Sequence, residues 1–332
     1  MGQLALDPLN RRIINRYQGG VPLTETPFDD MAKQFDITPG QFIERIDQML
    51  ARGWLTRFGP LYNAERFGGG LTLAALSVPE ERYQSVASLV NMLPTVAHNY
   101  RREHLLNMWF VIAAETREKV MESIAEIERN TELNVCNFPK LQEFYLGLWF
   151  ETGENGELKT RSIQNQSPAI SSEHQLTETD RRLVISTQEG LPLERYPYAA
   201  VARRNLISEK EVIERMQRML TSGVIRRVGL VPNHYKLGFR GNGMTVWDIP
   251  DSKLDKLGPK VAGLDFVSHC YERPRYEGVW PYNLFAMVHG RNRDEVRDKS
   301  EQIAQLLGEE CRAHEVLFST EVLKKTGLRL AA

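Results

Sequence analysis

The chain is poor in the features that would assign it quickly. Its 332 residues include only three cysteines, Cys136, Cys270 and Cys311. They are odd in number and far apart, which argues against a disulfide framework and a paired-cysteine metal site, and each reads as a small buried hydrophobe. No apolar run is long enough to cross a bilayer and no signal peptide is evident, so a cytoplasmic protein is expected. The formal net charge of −1 gives no overall attraction to nucleic acid or to an anionic membrane. An anionic ligand would have to be met by positive charge gathered locally. A glycine-rich phosphate loop, a nucleophile elbow and an HExxH metal box are also missing, and no protein-bound metal is expected. Hydrophobic residues at 42% and charged residues at 26% are ordinary for a soluble globular chain.

What the chain does have is a repeat. Asn10-Arg11-Arg12-Ile13-Ile14 is echoed by Asp180-Arg181-Arg182-Leu183-Val184, and Gly20-Val21-Pro22-Leu23 by Gly190-Leu191-Pro192-Leu193, a spacing of 170 residues. The same spacing relates Gly53 to Gly223 and Gly59 to Gly229. Further on, His98-Asn99-Tyr100-Arg101-Arg102 matches His269-Cys270-Tyr271-Glu272-Arg273, so both copies read His-x-Tyr-x-Arg. A duplicated scaffold carrying a duplicated polar triad points to a shared or paired site.

Each copy divides in two, giving segments 5–66 and 67–151, a polar linker over 152–178 that includes His174, and segments 179–238 and 239–330. The first part reads as three short helices. Asp7 caps one with Pro8 in its first turn, and Thr38 caps another with Pro39 at the first helical position. Phe42, Ile43, Ile46, Met49 and Leu50 form an apolar stripe that Gly53 ends. Ser208, Val212, Ile213, Met216, Met219, Leu220 and Gly223 repeat it. A short strand from Trp54 onward completes a helix-turn-helix with a wing. The second part alternates strand and helix. In copy one, strands are expected over 71–78, 95–102, 106–113 and 135–148, with helices over 80–93 and 117–129. In copy two, strands are expected over 244–249, 266–272, 282–288 and 313–318, with helices over 253–261 and 294–307. The fold class is thus α+β, a tandem duplication of a winged helix-turn-helix followed by a ferredoxin-like βαββαβ sandwich.

A helix-turn-helix raises DNA binding, for which the recognition helix should carry Arg and Lys to phosphates. Copy one offers Arg45 against Glu44 and Asp47. Copy two offers Lys210, Arg215 and Arg218 against Glu209, Glu211 and Glu214. Neither helix is basic, so DNA is not an expected partner, and these segments read as folding and pairing elements.

Side chains at i, i+2 and i+4 of a strand share a face. His98, Tyr100 and Arg102 therefore project together, as do His269, Tyr271 and Arg273. Taken singly, each triad could be a solvated strand face or an Arg paired with a nearby Glu. The recurrence at matched positions favours a site. Asn107, Trp109, Trp280, Tyr282 and Asn283 lie on neighbouring segments, and His104, Arg101 and Arg275 are close in sequence. Arg forks onto carboxylates, aromatic rings offer flat apolar walls, and His and Tyr move protons near neutral pH. The combination suits a planar molecule with several negative charges.

With helix-turn-helix followed by βαββαβ, the chain resembles the Lrp/AsnC regulators, through Leu6 to Ile14 and Leu55 to Gly68. The His-Asn-Tyr-Arg-Arg segment, the Asn-Met-Trp-Phe and Tyr-Asn-Leu-Phe strands and Trp280-Pro281-Tyr282 more specifically resemble the siroheme decarboxylases, in the fused two-subunit form associated with haem d1 synthesis. The resemblance implies loss of the C12 and C18 acetate carboxyl groups of siroheme to give 12,18-didecarboxysiroheme, for haem d1 or the alternative haem route. It implies no cofactor, since the iron belongs to the substrate and the macrocycle holds the electrons. The partners it implies are siroheme and its product, with the two halves packed as a pseudo-dimer and a further homo-oligomer allowed. On this reading His98 and His269 are proton donors or axial contacts to the substrate iron. Tyr100 and Tyr271 orient or relay protons. Arg102 and Arg273, assisted by Arg101 and Arg275, anchor carboxylates. Trp109, Trp280 and Tyr282 wall the macrocycle, with His104, Asn107 and Asn283 nearby. The alternatives are a regulator of the same fold that responds to a tetrapyrrole or amino acid, and a non-catalytic haem carrier.

Overall fold

The computed structural model describes residues 6–67, 69–147, 149–153, 158–161 and 176–325. Copy one opens with helices α1 (Pro8–Tyr17), α2 (Pro27–Lys33) and α3 (Pro39–Ala51). The Asp7 carboxylate accepts from the Asn10 amide at 2.7 Å, and Thr38 and Gln41 form a reciprocal capping box, so two helix starts have their orphan donors satisfied. The rest of copy one comprises strands β1 (Leu55–Tyr62), β2 (Gly70–Leu76), helix α4 (Tyr83–Met92), β3 (Val96–Arg102), β4 (Met108–Ala114), helix α5 (Arg117–Thr131), β5 (Cys136–Pro139) and β6 (Gln142–Leu146). A small hairpin of β7 (Trp149–Thr152) and β8 (Leu158–Arg161) follows. Copy two comprises α6 (Glu178–Thr187), α7 (Pro197–Asn205), α8 (Glu209–Thr221), β9 (Ile225–Pro232), α9 (His234–Leu237), β10 (Gly241–Asp248), α10 (Leu254–Ala262), β11 (Val267–Glu272), β12 (Leu284–Gly290), α11 (Arg293–Leu307) and β13 (Ala313–Lys325).

The wings do not fold back within their own copies. β1 pairs antiparallel with β9, with Gly59 opposite Gly229. The helices of both copies then bury one common core, in which Ile13, Phe42 and Met49 sit with Val201, Val212 and Met216. Close backbone approach explains the repeated glycines. Gly59 has φ 151° and Gly190 φ 140°, and a Cβ on Gly59 would fall 2.9 Å from the Leu191 nitrogen. At the matching place a Cβ on Gly229 would fall 2.7 Å from the Tyr17 carbonyl oxygen. Gly59→Ala should therefore cost about 1–3 kcal/mol through the positive φ and the backbone clash. A urea midpoint unchanged from wild type would refute that.

Nine strands form one antiparallel ladder in the order β5-β2-β4-β3-β13-β10-β12-β11-β6. Its two ends, β5 and β6, are separated in the chain by only Lys140 and Leu141, so the sheet curls back on itself. β13 runs well beyond the expected stop at Phe318. Up to that residue it pairs with β10, and from Ser319 it pairs with β3 of the other copy. β5 and β6 do the same in reverse, pairing with β2 and then with β11. Each copy thus supplies the last stave of the other. Alternation sorts the side chains. Met108, Phe110 and Ile112 face outward into a core with α4 and α5, while Trp109 faces inward with Phe138, Trp280 and Phe285. The outer face of copy two packs on α10 and α11 in the same way, through Leu284, Ala286 and Val288.

Of the segment read as a linker, 154–157 and 162–175, including His174, lie outside the described residues. Its start is anchored on α1. The Gln18 amide and Phe150 backbone exchange hydrogen bonds at 2.7 and 3.0 Å, and Asn15 and Thr152 exchange bonds at 2.9 and 3.1 Å.

Candidate active site

Curling the sheet brings the two triads face to face. A cavity of about 500 Å³ inside it is lined by His98, Tyr100, Arg102 and Trp109 from copy one and by His269, Tyr271 and Arg273 from copy two. That volume lies within the range of small-molecule sites. A wider cleft of about 1430 Å³ beside the wing ribbon shares Asn63, Glu65, Leu71, Lys140 and Arg226 with it, so the two spaces are contiguous. Arg66, Arg117 and Arg227 add positive charge to the cleft. The local concentration of cations that a neutral chain needs for an anionic ligand is therefore present.

The two triads share a geometry. His and Tyr rings are 6.0 Å apart in copy one and 6.1 Å apart in copy two, edge to face in both. The guanidinium of each Arg lies near the ring of its own Tyr, at 5.9 Å for Arg102 and 5.1 Å for Arg273. Arg102 donates through Nη1 to the Leu317 carbonyl, and Arg273 through Nη1 to the Phe138 carbonyl, each reaching a strand of the other copy. Both are buried, and the Nε of each has no hydrogen-bond partner among the described residues. Burial lowers both guanidinium pKa values to about 10. Burial also pushes the Tyr100 phenol up to about 12 and raises that of Tyr271, so both remain O–H donors at neutral pH.

The histidines differ between copies. His98 Nδ1 lies 3.0 Å from the Tyr100 hydroxyl. His269 Nδ1 lies 2.7 Å from the Ser268 hydroxyl. Burial, reinforced by Arg226 and Arg273, holds His269 down to about 4 despite Glu143 nearby. His234 is held at about 4, and His289 is also well below its ordinary value, both chiefly by burial. At neutral pH these three rings are uncharged. A base whose folded pKa is depressed stabilises the fold above its unfolded pKa and loses that contribution as pH falls through the folded one. Conformational stability should consequently fall as pH drops from about 6.5 to about 4. Urea midpoints measured across this window test it, and a His289→Phe variant should show a shallower fall.

Several residues expected at the site are elsewhere. Arg101 alternates away from Tyr100 and Arg102, pairs with Glu80 at 2.7 Å and stacks on Tyr83. Arg275 is held by Asp248 at 2.6 Å and Asp251 at 2.8 Å. Asn107 bonds the backbone of Val78, and Asn283 that of Ile249, so both are clasps between strand ends. Trp280 lies in the aromatic core behind Trp109, at 5.0 Å between ring centres, and does not line the cavity. Tyr282 donates to Glu315 at 2.7 Å, and His104 lies 3.4 Å from the same carboxylate with its ring on Trp280. Conversely, Tyr62, Arg226, His234, Tyr235, Asn242, His289 and Lys325 line the cavity without having been singled out from sequence. The signal for His289 was present, since Phe285, Met287 and His289 alternate onto the inner face. The expected strand stopped one residue short of it.

The arrangement is a buried space with flat apolar walls, two guanidinium groups without an ion-pair partner among the described residues, and several imidazoles. Neither recognition helix has gained a basic face, since Arg45 is tied to Asp7 at 3.0 Å and Arg215 to Asp180 and Glu211 at 2.9 and 2.8 Å. Among the described residues no cluster suited to a metal ion occurs, and no helix is long and apolar enough to cross a membrane.

A family model for a siroheme decarboxylase NirDL-like HTH domain matches residues 10–55 and 180–226, and one for an AsnC-like ligand binding domain matches 68–145 and 236–324. The siroheme decarboxylase of Hydrogenobacter thermophilus is 31% identical over 322 residues, covering 96% of this chain and 93% of that protein. The siroheme decarboxylase NirDL subunit of Paracoccus denitrificans is 30% identical, with 99% of each chain covered. The NirH subunit of Pseudomonas aeruginosa is 56% identical over 151 residues, 46% of this chain and 88% of that subunit. A crystal structure of the siroheme decarboxylase NirDL in complex with an iron-uroporphyrin III analogue superposes with a TM-score of 0.72 at 27% identity, covering 97% of this chain and 94% of that one.

Proposed function

The chain belongs to the siroheme decarboxylase family, and from that membership we propose that it removes the C12 and C18 acetate carboxyl groups of siroheme to give 12,18-didecarboxysiroheme. The observation that carries this reading is the meeting of both His-x-Tyr-x-Arg triads in one buried cavity. Siroheme is flat and ringed by carboxylates. Trp109 and the apolar inner face suit its plane, and Arg102 and Arg273 suit its charge. The remaining carboxylates would reach toward the cationic cleft.

In each decarboxylation the bond between the methylene carbon and the carboxyl carbon breaks and carbon dioxide leaves. The electron pair stays on the methylene carbon, which takes up one proton to become methyl. The macrocycle spreads those electrons, so the protein needs no cofactor of its own, the iron being the substrate's. The protein's contribution is to hold the reacting carboxylate out of the ring plane in a dry pocket and to deliver the proton. His98 and His269 are the donors on this reading, Tyr100 and Tyr271 orient them or relay protons, and Arg102 and Arg273 hold carboxylates. Substrate carboxylates entering the cavity favour a protonated imidazole, against the depression that burial imposes. The thiols Cys136, Cys270 and Cys311 are free, which fits action in the cytoplasm. The product would serve haem d1 or alternative haem formation.

Anaerobic incubation with siroheme, followed by mass, should show loss of two carbon dioxide units. A bound siroheme spectrum with unchanged mass would leave only a carrier. In a gel shift at low salt the protein should show no sequence-dependent DNA binding, and a tight, sequence-dependent complex without turnover would favour a regulator.

A further inference from the structure

The two copies wire their triad histidines differently. Both strands that carry the triad have a bulge just before the histidine, between Val96 and His98 and between Val267 and His269. Bulges re-aim side chains. In copy one the bulge holds Ala97. In copy two it holds Ser268, whose hydroxyl lies 2.7 Å from His269 Nδ1 and 2.7 Å from His289 Nε2. His289 Nδ1 in turn meets Asn242 Oδ1. The amide orientation of Asn242 is fixed by its nitrogen, which donates to the Phe239 carbonyl at 3.3 Å. Across the ladder Asn242 stands opposite His289, as Leu71 stands opposite Ala113 in the first copy. Three polar links in copy two thus replace Leu71, Ala97 and Ala113.

We propose that Ser268, His289 and Asn242 form a proton relay that feeds His269, so that the second copy delivers the proton and the first chiefly holds substrate. The inference rests on the reading of His269 as a proton donor. Because Asn242 Oδ1 can only accept, His289 carries a proton on Nδ1 in every state. In the resting state His289 Nε2 accepts from the Ser268 hydroxyl, and Ser268 accepts from His269 Nδ1–H. When His269 takes up a proton on Nε2 from the cavity side, its Nδ1 proton passes to Ser268 and the Ser268 proton to His289 Nε2, and the chain reverses. His289 Nε2–H donates to Ser268, Ser268 donates to His269 Nδ1, and His269 carries its proton on Nε2. Transfer of that Nε2 proton to the methylene carbon, as the carboxyl carbon departs, returns the chain to rest. The Ser268 proton moves back to His269 Nδ1 and the His289 Nε2 proton to Ser268, so one proton enters and one leaves through His269 Nε2, and the charge rests on His289 in between. Both states keep every hydrogen bond between His269 Nδ1 and Asn242 Oδ1. The alternative acceptor for Ser268, the Met287 carbonyl at 3.4 Å, is the weaker partner.

His289 faces Ser268 and His269 from β11, Asn242 from β10, and the His234 ring from α9 at 5.7 Å. Lys299 of α11 donates to its backbone carbonyl at 2.8 Å, and the Phe150 ring meets it edge-on at 5.5 Å.

Two measurements test the relay. The chain has seven histidines, so ring-15N labelling with single replacements assigns their tautomers. Wild type should show His269 protonated on Nδ1, and Ser268→Ala should give mixed tautomers. A His269 protonated on Nε2 in both proteins overturns the chain whatever the enzyme turns over. In single-turnover decarboxylation of siroheme, Ser268→Ala and His289→Ala should each slow carbon dioxide loss by about 10²-fold. Siroheme affinity should stay within about twofold in an absorbance titration, since neither residue anchors a carboxylate on this reading. Ser268→Thr should recover most of the rate, and a proton inventory that is curved in wild type should become linear in Ser268→Ala. Unchanged rates in both alanine variants overturn the relay alone. A wild-type protein that never alters the mass of siroheme overturns the relay and the decarboxylation reading together.

Discussion

His269→Ala is expected to slow carbon dioxide loss from siroheme by about 10²- to 10⁴-fold, the usual contribution of a positioned acid. The loss should appear in the chemical step, because the carbanion that forms as the carboxyl group leaves has no other imidazole wired in the same way. His269 is buried against Arg226 and Arg273, which together hold its ring neutral at neutral pH. His98→Ala should also reduce turnover, since His98 lines the same cavity and is bonded to Tyr100. Product mass after anaerobic incubation reads both effects. Unchanged turnover in each variant and in the double variant would remove the proposed histidine role.

Arg273→Met should move two properties in opposite directions. The Arg273 side chain is buried, its Nε has no partner among the described residues, and its Nη1 bonds a backbone carbonyl where a carboxylate would normally sit. Burying a charge without a counter-charge costs several kcal/mol, and an apolar replacement of similar volume typically stabilises by about 1–4 kcal/mol. Siroheme, however, would lose the group that meets its carboxylate, and truncating one partner of a buried charge pair costs about 2–5 kcal/mol, or at least tenfold in affinity. Arg102→Met should behave alike. Urea denaturation and an absorbance titration measure the two terms. A variant that is less stable but binds siroheme normally would mean that the guanidinium serves only as a clamp between the copies.

The duplication and the helix caps were legible in sequence because they depend on local chemistry. Asp7, Thr38 and Ser208 cap the helices they precede. The triads were legible because polar side chains with a period of two contradict a plain core strand. Less legible was everything set by long-range pairing. Nothing local told that β13 would continue past Phe318 to pair with β3, or that each wing would pair with the other wing. Trp280, Tyr282, Asn283, Arg101 and Arg275 were assigned to the site by closeness in sequence to a triad. Alternation and the packing of the long second hairpin send them to the aromatic core, to strand clasps or to surface ion pairs. Tyr62, Arg226, His234 and Tyr235 come from the region around the wing, which reaches the cavity only because the ladder curls.

In an assembly of two identical chains, every substitution lands twice, and the interior keeps its twofold axis. Covalent tandem linkage lifts that constraint. Opposite walls of one chamber can drift apart a residue at a time, as Asn242 and Leu71, Ser268 and Ala97, and His289 and Ala113 have done. A disc-shaped guest in such a chamber no longer meets equivalent surroundings on its two sides, so orientation on entry becomes something the protein selects.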